Sequence, residues 1–158
     1  MRKRVQKKRS GFSLLELVVV VVIVGIIAAI AIPRMSRGSA GDADAALSGN
    51  LAVMRSAIDM FAAEHNGTFP AVDTIVNQLN LYSSVTGATQ ATKDTTYIYG
   101  PYIRKVPPLP VGAKKGQTGI AAATGDTIGW IYTEASGTIK SNTTDSEKDA
   151  SGTAWNTY

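Results

Sequence analysis

Glu16 is the one ionisable residue inside an apolar run, residues 12–33, that reads FSLLELVVVVVIVGIIAAIAIP. An ionised carboxylate deep in a bilayer costs roughly 3 kcal/mol or more unless a cation pairs with it. Two readings follow: Glu16 reaches up to the lipid headgroups, or it has a dedicated cationic partner. His65 is the sole histidine. As a metal ligand or general base it would need a second group at a useful spacing, and none stands there. A histidine at the end of a helix, favoured by the helix dipole, is the simpler reading. Asp145, Glu147 and Asp149 alternate along the chain, so their oxygens could converge on a hard cation. There is no cysteine, hence no disulfide, thiolate metal site or cysteine nucleophile. With one histidine no Ser-His-Asp set is supported. Gly112, Gly116 and Gly119 are not followed by the Lys-Ser/Thr pair of a phosphate loop. Asp42 and Asp44 read as a polar helix start. No catalytic constellation emerges, and the expectation is that the protein is not an enzyme.

The elements that must position these residues follow from charge and periodicity. The 158 residues hold 16 Lys and Arg against 12 Asp and Glu. Six of the basic residues are Arg2, Lys3, Arg4, Lys7, Lys8 and Arg9. The basic character thus belongs to the N-terminal tip, and residues 12–158 carry a net charge of −2. A basic tip before an apolar run is a membrane-targeting layout, and no nucleic-acid partner is expected. As a helix, residues 12–33 reach about 33 Å, enough for a hydrocarbon core of about 30 Å. The β-branched residues 18–22 favour helix there because a backbone in lipid must satisfy its own hydrogen bonds. The positive-inside rule places residues 1–11 in the cytoplasm and the remainder across the membrane. An A-x-A signal-peptidase cut at Ala29-Ile30-Ala31 competes, but the run is too long for it and Glu16 is out of place in such a core.

The stretch Ser10-Gly11-Phe12-Ser13-Leu14-Leu15-Glu16-Leu17 resembles the processing signature of type IV prepilins and type II secretion pseudopilins. A short basic leader ends in Gly, Phe follows, and Glu is fifth after the junction. The resemblance covers about residues 1–38. It implies cleavage between Gly11 and Phe12 by a prepilin peptidase, which then N-methylates Phe12. It further implies that Glu16 pairs with the Phe12 amine of a neighbouring subunit in a helical filament, and that Pro33 kinks the helix. Physically, cleavage removes six cytoplasmic charges and creates an amine. A buried amine and carboxylate neutralise each other between subunits, and losing one partner would cost about 3–5 kcal/mol.

Beyond Pro33, Gly38 and Gly41 weaken helix by roughly 1 kcal/mol each relative to Ala, so a break or pliable joint is expected, with Ser39 or Asp42 capping a restart. Leu47, Leu51, Met54, Ile58 and Phe61 then recur at spacings of 4, 3, 4 and 3, the stripe of a helix packed by one face on a small sheet. Gly67 supplies a left-handed stop near residue 65. Residues 57–70 resemble the helix-to-turn junction of type II secretion major pseudopilins, and residues 100–107 resemble a loop of secretion-type pseudopilins. Residues 73–81 read as a short helix and 83–96 as an exposed loop. The Pro-rich stretch 106–110 reads as a rigid loop pinned by tyrosines. Residues 127–133 and 138–140 form a hairpin about the turn 134–137, with Ile128, Trp130 and Tyr132 on one face. Major pseudopilins often bind calcium in a C-terminal loop, which makes Asp145, Glu147 and Asp149 calcium candidates. Their surroundings do not match the family's loop, so residues 141–158 are expected to be a solvated tail and no cofactor is required.

The expected architecture is α+β and pilin-like. It has a cleaved leader at 1–11, a transmembrane and filament-core helix at 12–33, and a periplasmic globular domain at 34–158. The long helix continues to about residue 65, and its second half packs on a small antiparallel sheet. The resemblance is closest to the major, G-type pseudopilins. It implies a structural subunit in the bacterial inner membrane that polymerises with its own copies to drive protein export. Its partners would be the prepilin peptidase, the inner-membrane assembly platform, minor pseudopilins and membrane lipid. A type IV pilus subunit for adhesion, motility or DNA uptake is the alternative. A tethered or secreted binding protein is a further one.

Overall fold

The structure is a computed structural model that describes residues 13–158, with the side chains of 30–40 left outside the description. The processing expectations at Gly11 and Phe12 lie outside the described residues, and so does the kink at Pro33. Two compact units emerge, Met1–Gly38 and Ser39–Tyr158. Helix α1, Leu14–Glu64, contributes to both. The break expected around Gly38 and Gly41 is absent from its backbone, for helix is assigned without interruption. A glycine weakens a helix by about 1 kcal/mol without forbidding it. At its end, Asn66 and Gly67 take positive φ of 56° and 78°, and the Gly67 amide donates to Ala62 O at 2.8 Å. These left-handed residues turn the chain off the helix as expected.

Among the described residues no helix is long and apolar enough to cross a membrane. The described part of the apolar run is 14–29, shorter than the roughly 20 residues a spanning helix needs. Phe12 and residues 30–33, which complete the expected span, are outside it.

Within Ser39–Tyr158, the stripe on α1 is the spine of the core. Leu47, Leu51, Met54, Ile58 and Phe61 are all buried. Against them pack Ile75 and Leu79 of α2 (Ile75–Asn80), Val106 and Leu109 of the Pro-rich stretch, Val111 just after it, and Trp130, Tyr132 and Ile139. The Pro-rich loop is pinned by these apolar side chains and by Trp130, whose Nε1 donates to Pro107 O at 2.9 Å.

The strands form two small sheets where one antiparallel sheet was expected. In the first, β1 (Tyr82–Ser83) and β2 (Thr89–Gln90) are antiparallel. The second has the order β3-β4-β5, with β3 Gly119–Ala121, β4 Ile128–Thr133 and β5 Thr138–Ser141. β4 and β5 are the expected hairpin, pairing Trp130 with Ser141 and Thr133 with Thr138. β3 is parallel to β4, which makes this sheet mixed. A parallel return usually needs a long crossover, but a three-residue strand has little length to retrace. Gly119 allows the close approach, since a Cβ there would lie 2.5 Å from Thr127 O.

The region 83–96 is not simply a loop, because it holds the β1–β2 hairpin and buries Ser83 and Ser84. Nor is 141–158 a solvated tail. It folds back through a bridge between Lys148 and Ala154 and a 3-10 turn at Trp155–Thr157, with Trp155 and Tyr158 packed on the core. The polar composition hid two aromatic anchors at its end.

Candidate assembly site

The N-terminal part of α1 is defined by what does not cover it. Twelve large apolar side chains between Leu14 and Ile27 are exposed, from Leu14 at 80% to Val18 at 48%. Covering them would contribute on the order of 10 kcal/mol, at roughly 1 kcal/mol for a half-exposed aliphatic side chain. An apolar surface of this size marks contact with lipid or with another chain. Glu16 lies in the first turn of this helix and is exposed. A carboxylate in the first turn lies at the positive end of the helix dipole. Among the described residues the one ion pair is Lys114–Asp126 at 3.3 Å, so Glu16 has no cationic partner there.

At the other end of α1, His65 is buried, at 3% exposure. Its ring stacks on Phe61 with centroids 3.8 Å apart. Nδ1 lies 2.7 Å from Phe61 O. Nε2 lies 2.9 Å from Ser84 O and 3.2 Å from Ser83 Oγ. The histidine thus ties the helix end to the β1–β2 hairpin, a role beyond the dipole contact read from sequence. Beside it is a cavity of about 240 Å³ walled by Phe61, His65, Phe69, Gln78, Val85 and Glu134, among others. Gln78 braces this corner, accepting from Ala71 N at 2.8 Å and donating to Gly87 O at 2.9 Å. Glu134 Oε2 accepts from Val72 N at 2.9 Å. Nearby, the Tyr102 hydroxyl donates to Glu64 Oε2 at 2.5 Å. Burial first, then the Glu64 carboxylate, push the Tyr102 phenol up. Burial, with Glu134 behind it, raises Tyr132 to about 12, and its hydroxyl donates to Pro70 O at 2.9 Å.

Asp145, Glu147 and Asp149 are drawn into separate contacts. Asp145 Oδ1 accepts from Asn156 Nδ2 at 2.7 Å. Glu147 accepts from Ala113 N at 2.6 Å and Thr144 N at 2.7 Å, and those backbone donors, Thr144 first, hold its pKa low. Asp149 accepts from the Tyr158 hydroxyl at 2.5 Å and from Ser151 and Thr153. These donors, Tyr158 first, hold its carboxyl well below the usual carboxylate range, while Asp149 raises Tyr158 to about 12. Among the described residues no group of three His, Cys, Asp or Glu side chains is placed to hold a metal ion.

Sequence reasoning missed the cavity and the docking of the C-terminal segment. The only available signals were Glu134 in a turn beside a strand and two aromatics in a polar stretch. Arg55 also ties this segment down, donating to Ile139 O at 3.3 Å and Tyr158 O at 2.6 Å.

Residues 6–32 match the family described as "Prokaryotic N-terminal methylation motif". No curated protein and no solved structure matches the chain. The matched segment contains Gly11, Phe12 and Glu16 and runs into the exposed apolar part of α1. Residues 6–32 of this chain are therefore an N-terminal methylation motif of the type IV prepilin-like kind.

Proposed function

We propose that the protein is a structural subunit of a type II secretion pseudopilus. Residues 12–33 anchor it in the inner membrane, prepilin peptidase cuts between Gly11 and Phe12, and Phe12 is N-methylated. The subunit then joins a filament of its own copies, in which Glu16 pairs with the Phe12 amine of a neighbour and Pro33 bends the helix. The reading rests on one conjunction: the methylation motif at 6–32 leads into a helix whose apolar side chains are exposed on all sides around Glu16. Such a helix needs either lipid or like helices around it, and cleavage supplies the cation that Glu16 needs.

A type IV pilus subunit would use the same motif and the same helix. The secretion assignment draws on the helix-to-turn junction at 57–70, where α1 ends in Asn66 and Gly67 before Phe69-Pro70. The test is Glu16→Ala in cells expressing the full secretion machinery. Normal membrane insertion with loss of filaments is expected. Filaments formed as well as by the parent chain would overturn the role given to Glu16. Normal function without any filament would favour a tethered binding protein.

A further inference from the structure

The two ring nitrogens of His65 both face carbonyl oxygens. Nδ1 lies 2.7 Å from Phe61 O, and Nε2 lies 2.9 Å from Ser84 O. A carbonyl oxygen only accepts, so both contacts are hydrogen bonds when both nitrogens carry a proton, as in the imidazolium form. A neutral ring has one N–H, and its bare nitrogen sets a lone pair against one of the two carbonyls. On the Nε2 side there is an alternative, because Ser83 Oγ lies 3.2 Å away and a hydroxyl can donate. On the Nδ1 side Phe61 O is the sole partner among the described residues. The proton of the neutral ring thus stays on Nδ1, and Nε2 exchanges Ser84 O for Ser83 Oγ.

We propose that His65 is a proton-operated latch between the end of α1 and the β1–β2 hairpin. Charged, the ring donates to Phe61 O and Ser84 O at once and ties the hairpin turn to the helix. Neutral, it accepts from Ser83 Oγ and releases Ser84 O. Ser84 O keeps the Gly87 amide at 2.8 Å, so the turn stays closed on itself but loses its tie to α1. That turn carries Val85, Thr86 and Gly87, which form one wall of the cavity beside His65, so loss of the proton loosens that wall. The titratable groups around the ring come from four places. Glu64 on α1 accepts from the Tyr102 hydroxyl. The Tyr99 ring lies 5.1 Å from the imidazole. Glu134 of the β4–β5 turn lines the same cavity, and the hairpin itself adds Tyr82. None of these repels a positive ring, and no Lys or Arg lines the cavity. Histidine is the ordinary side chain for a charge change between about pH 5 and 8. The inference goes beyond the filament reading and does not depend on it.

Because His65 is the sole histidine, the full-length protein in detergent micelles, labelled with nitrogen-15 histidine, gives one imidazole to follow by NMR. Its protonation is recorded against pH beside the protection factors of the Ser84 and Gly87 amides, with the intrinsic pH dependence of exchange divided out. As pH rises through the imidazole midpoint, protection at both amides should fall about tenfold, the scale of one lost hydrogen bond to a charged donor. Amides of the β4–β5 hairpin should hold theirs. The neutral ring should carry its proton on Nδ1. His65→Gln should abolish the step at Ser84 and Gly87. Ser83→Ala, which removes the donor that serves the neutral ring, should move the midpoint to higher pH, and it keeps the test decisive if His65→Gln does not fold. A ring that titrates while both amides hold their protection overturns the latch. So does a step that persists in His65→Gln, a midpoint indifferent to Ser83→Ala, or a ring that keeps one protonation state throughout the pH range in which the β4–β5 amides stay protected.

Discussion

The indole Nε1 of Trp155 donates to Asp44 Oδ1 at 2.7 Å, joining residues 111 positions apart. This bond fastens the C-terminal segment to the first turns of the globular part of α1. Together with Arg55, which reaches Tyr158 O, it turns a polar stretch into a strap across the helix. Replacing Asp44 by Ala should destabilise Ser39–Tyr158 by about 1 kcal/mol, the net worth of a typical hydrogen bond. Denaturant unfolding followed by tryptophan fluorescence measures it, with a lower midpoint and an unchanged slope expected.

The same strap should respond to pH at both extremes. Asp149 is ionised more readily in the folded chain, so its contribution is present above the unfolded value of about 3.9 and disappears as pH falls through the depressed folded value. Tyr158 is raised to about 12, so its contribution is complete below about 10 and disappears as pH climbs toward 12. The protection factors of the Trp155 and Thr157 amides, with the intrinsic pH dependence of exchange divided out, should be constant between these limits. Asp149→Asn should remove the acid limb of the profile.

Gly137 sits in the β4–β5 turn at φ 67°, where a Cβ would lie 2.4 Å from Phe69 Cε1. Gly137→Ala combines a left-handed backbone with a clash against a ring held in the cavity wall. A loss of about 2–4 kcal/mol is expected, the sum of backbone strain and overpacking. Thermal melting checks it, and Gly116→Ala is the control. Gly116 has φ 92° but open space around it, so only the backbone strain should remain.

His65→Phe keeps a ring on Phe61 but removes both polar links of the imidazole. Ser84 O keeps the Gly87 amide as a partner, so the loss is that of the imidazole's own hydrogen bonds, at about 0.5–1.5 kcal/mol each. Amide exchange should quicken in the β1–β2 hairpin, notably at Ser84 and Gly87, whose amides close that turn. Exchange rates left as in the parent chain would show that the hairpin is held by other contacts.

How far such features could be read beforehand depends on their range. The stripe from Leu47 to Phe61 is local and periodic, so its burial on α1 was legible. So was the β4–β5 hairpin, where alternation meets a Gly turn. The parallel placement of β3 was not, because it depends on a three-residue strand and on the close approach that Gly119 permits. Trp155 reaches Asp44, and His65 reaches Ser84, only once the whole unit has folded, and neither pairing leaves a spacing to read. The unbroken backbone of α1 across Gly38 and Gly41 shows that a local propensity cost of about 1 kcal/mol per glycine does not by itself end a helix. At the assembly site, Glu16 and its apolar setting were plain because the motif is contiguous. The cavity was hidden because its wall draws Phe61, Gln78 and Glu134 from three separate elements.

The central claim is that the N-terminus is processed as a prepilin and that the new amine serves assembly. The intact mass of the protein extracted from its native membranes tests it most directly. The account predicts a chain that begins at Phe12 and carries one added methyl group. A chain that retains residues 1–11, or one that begins at Ile32, would contradict it.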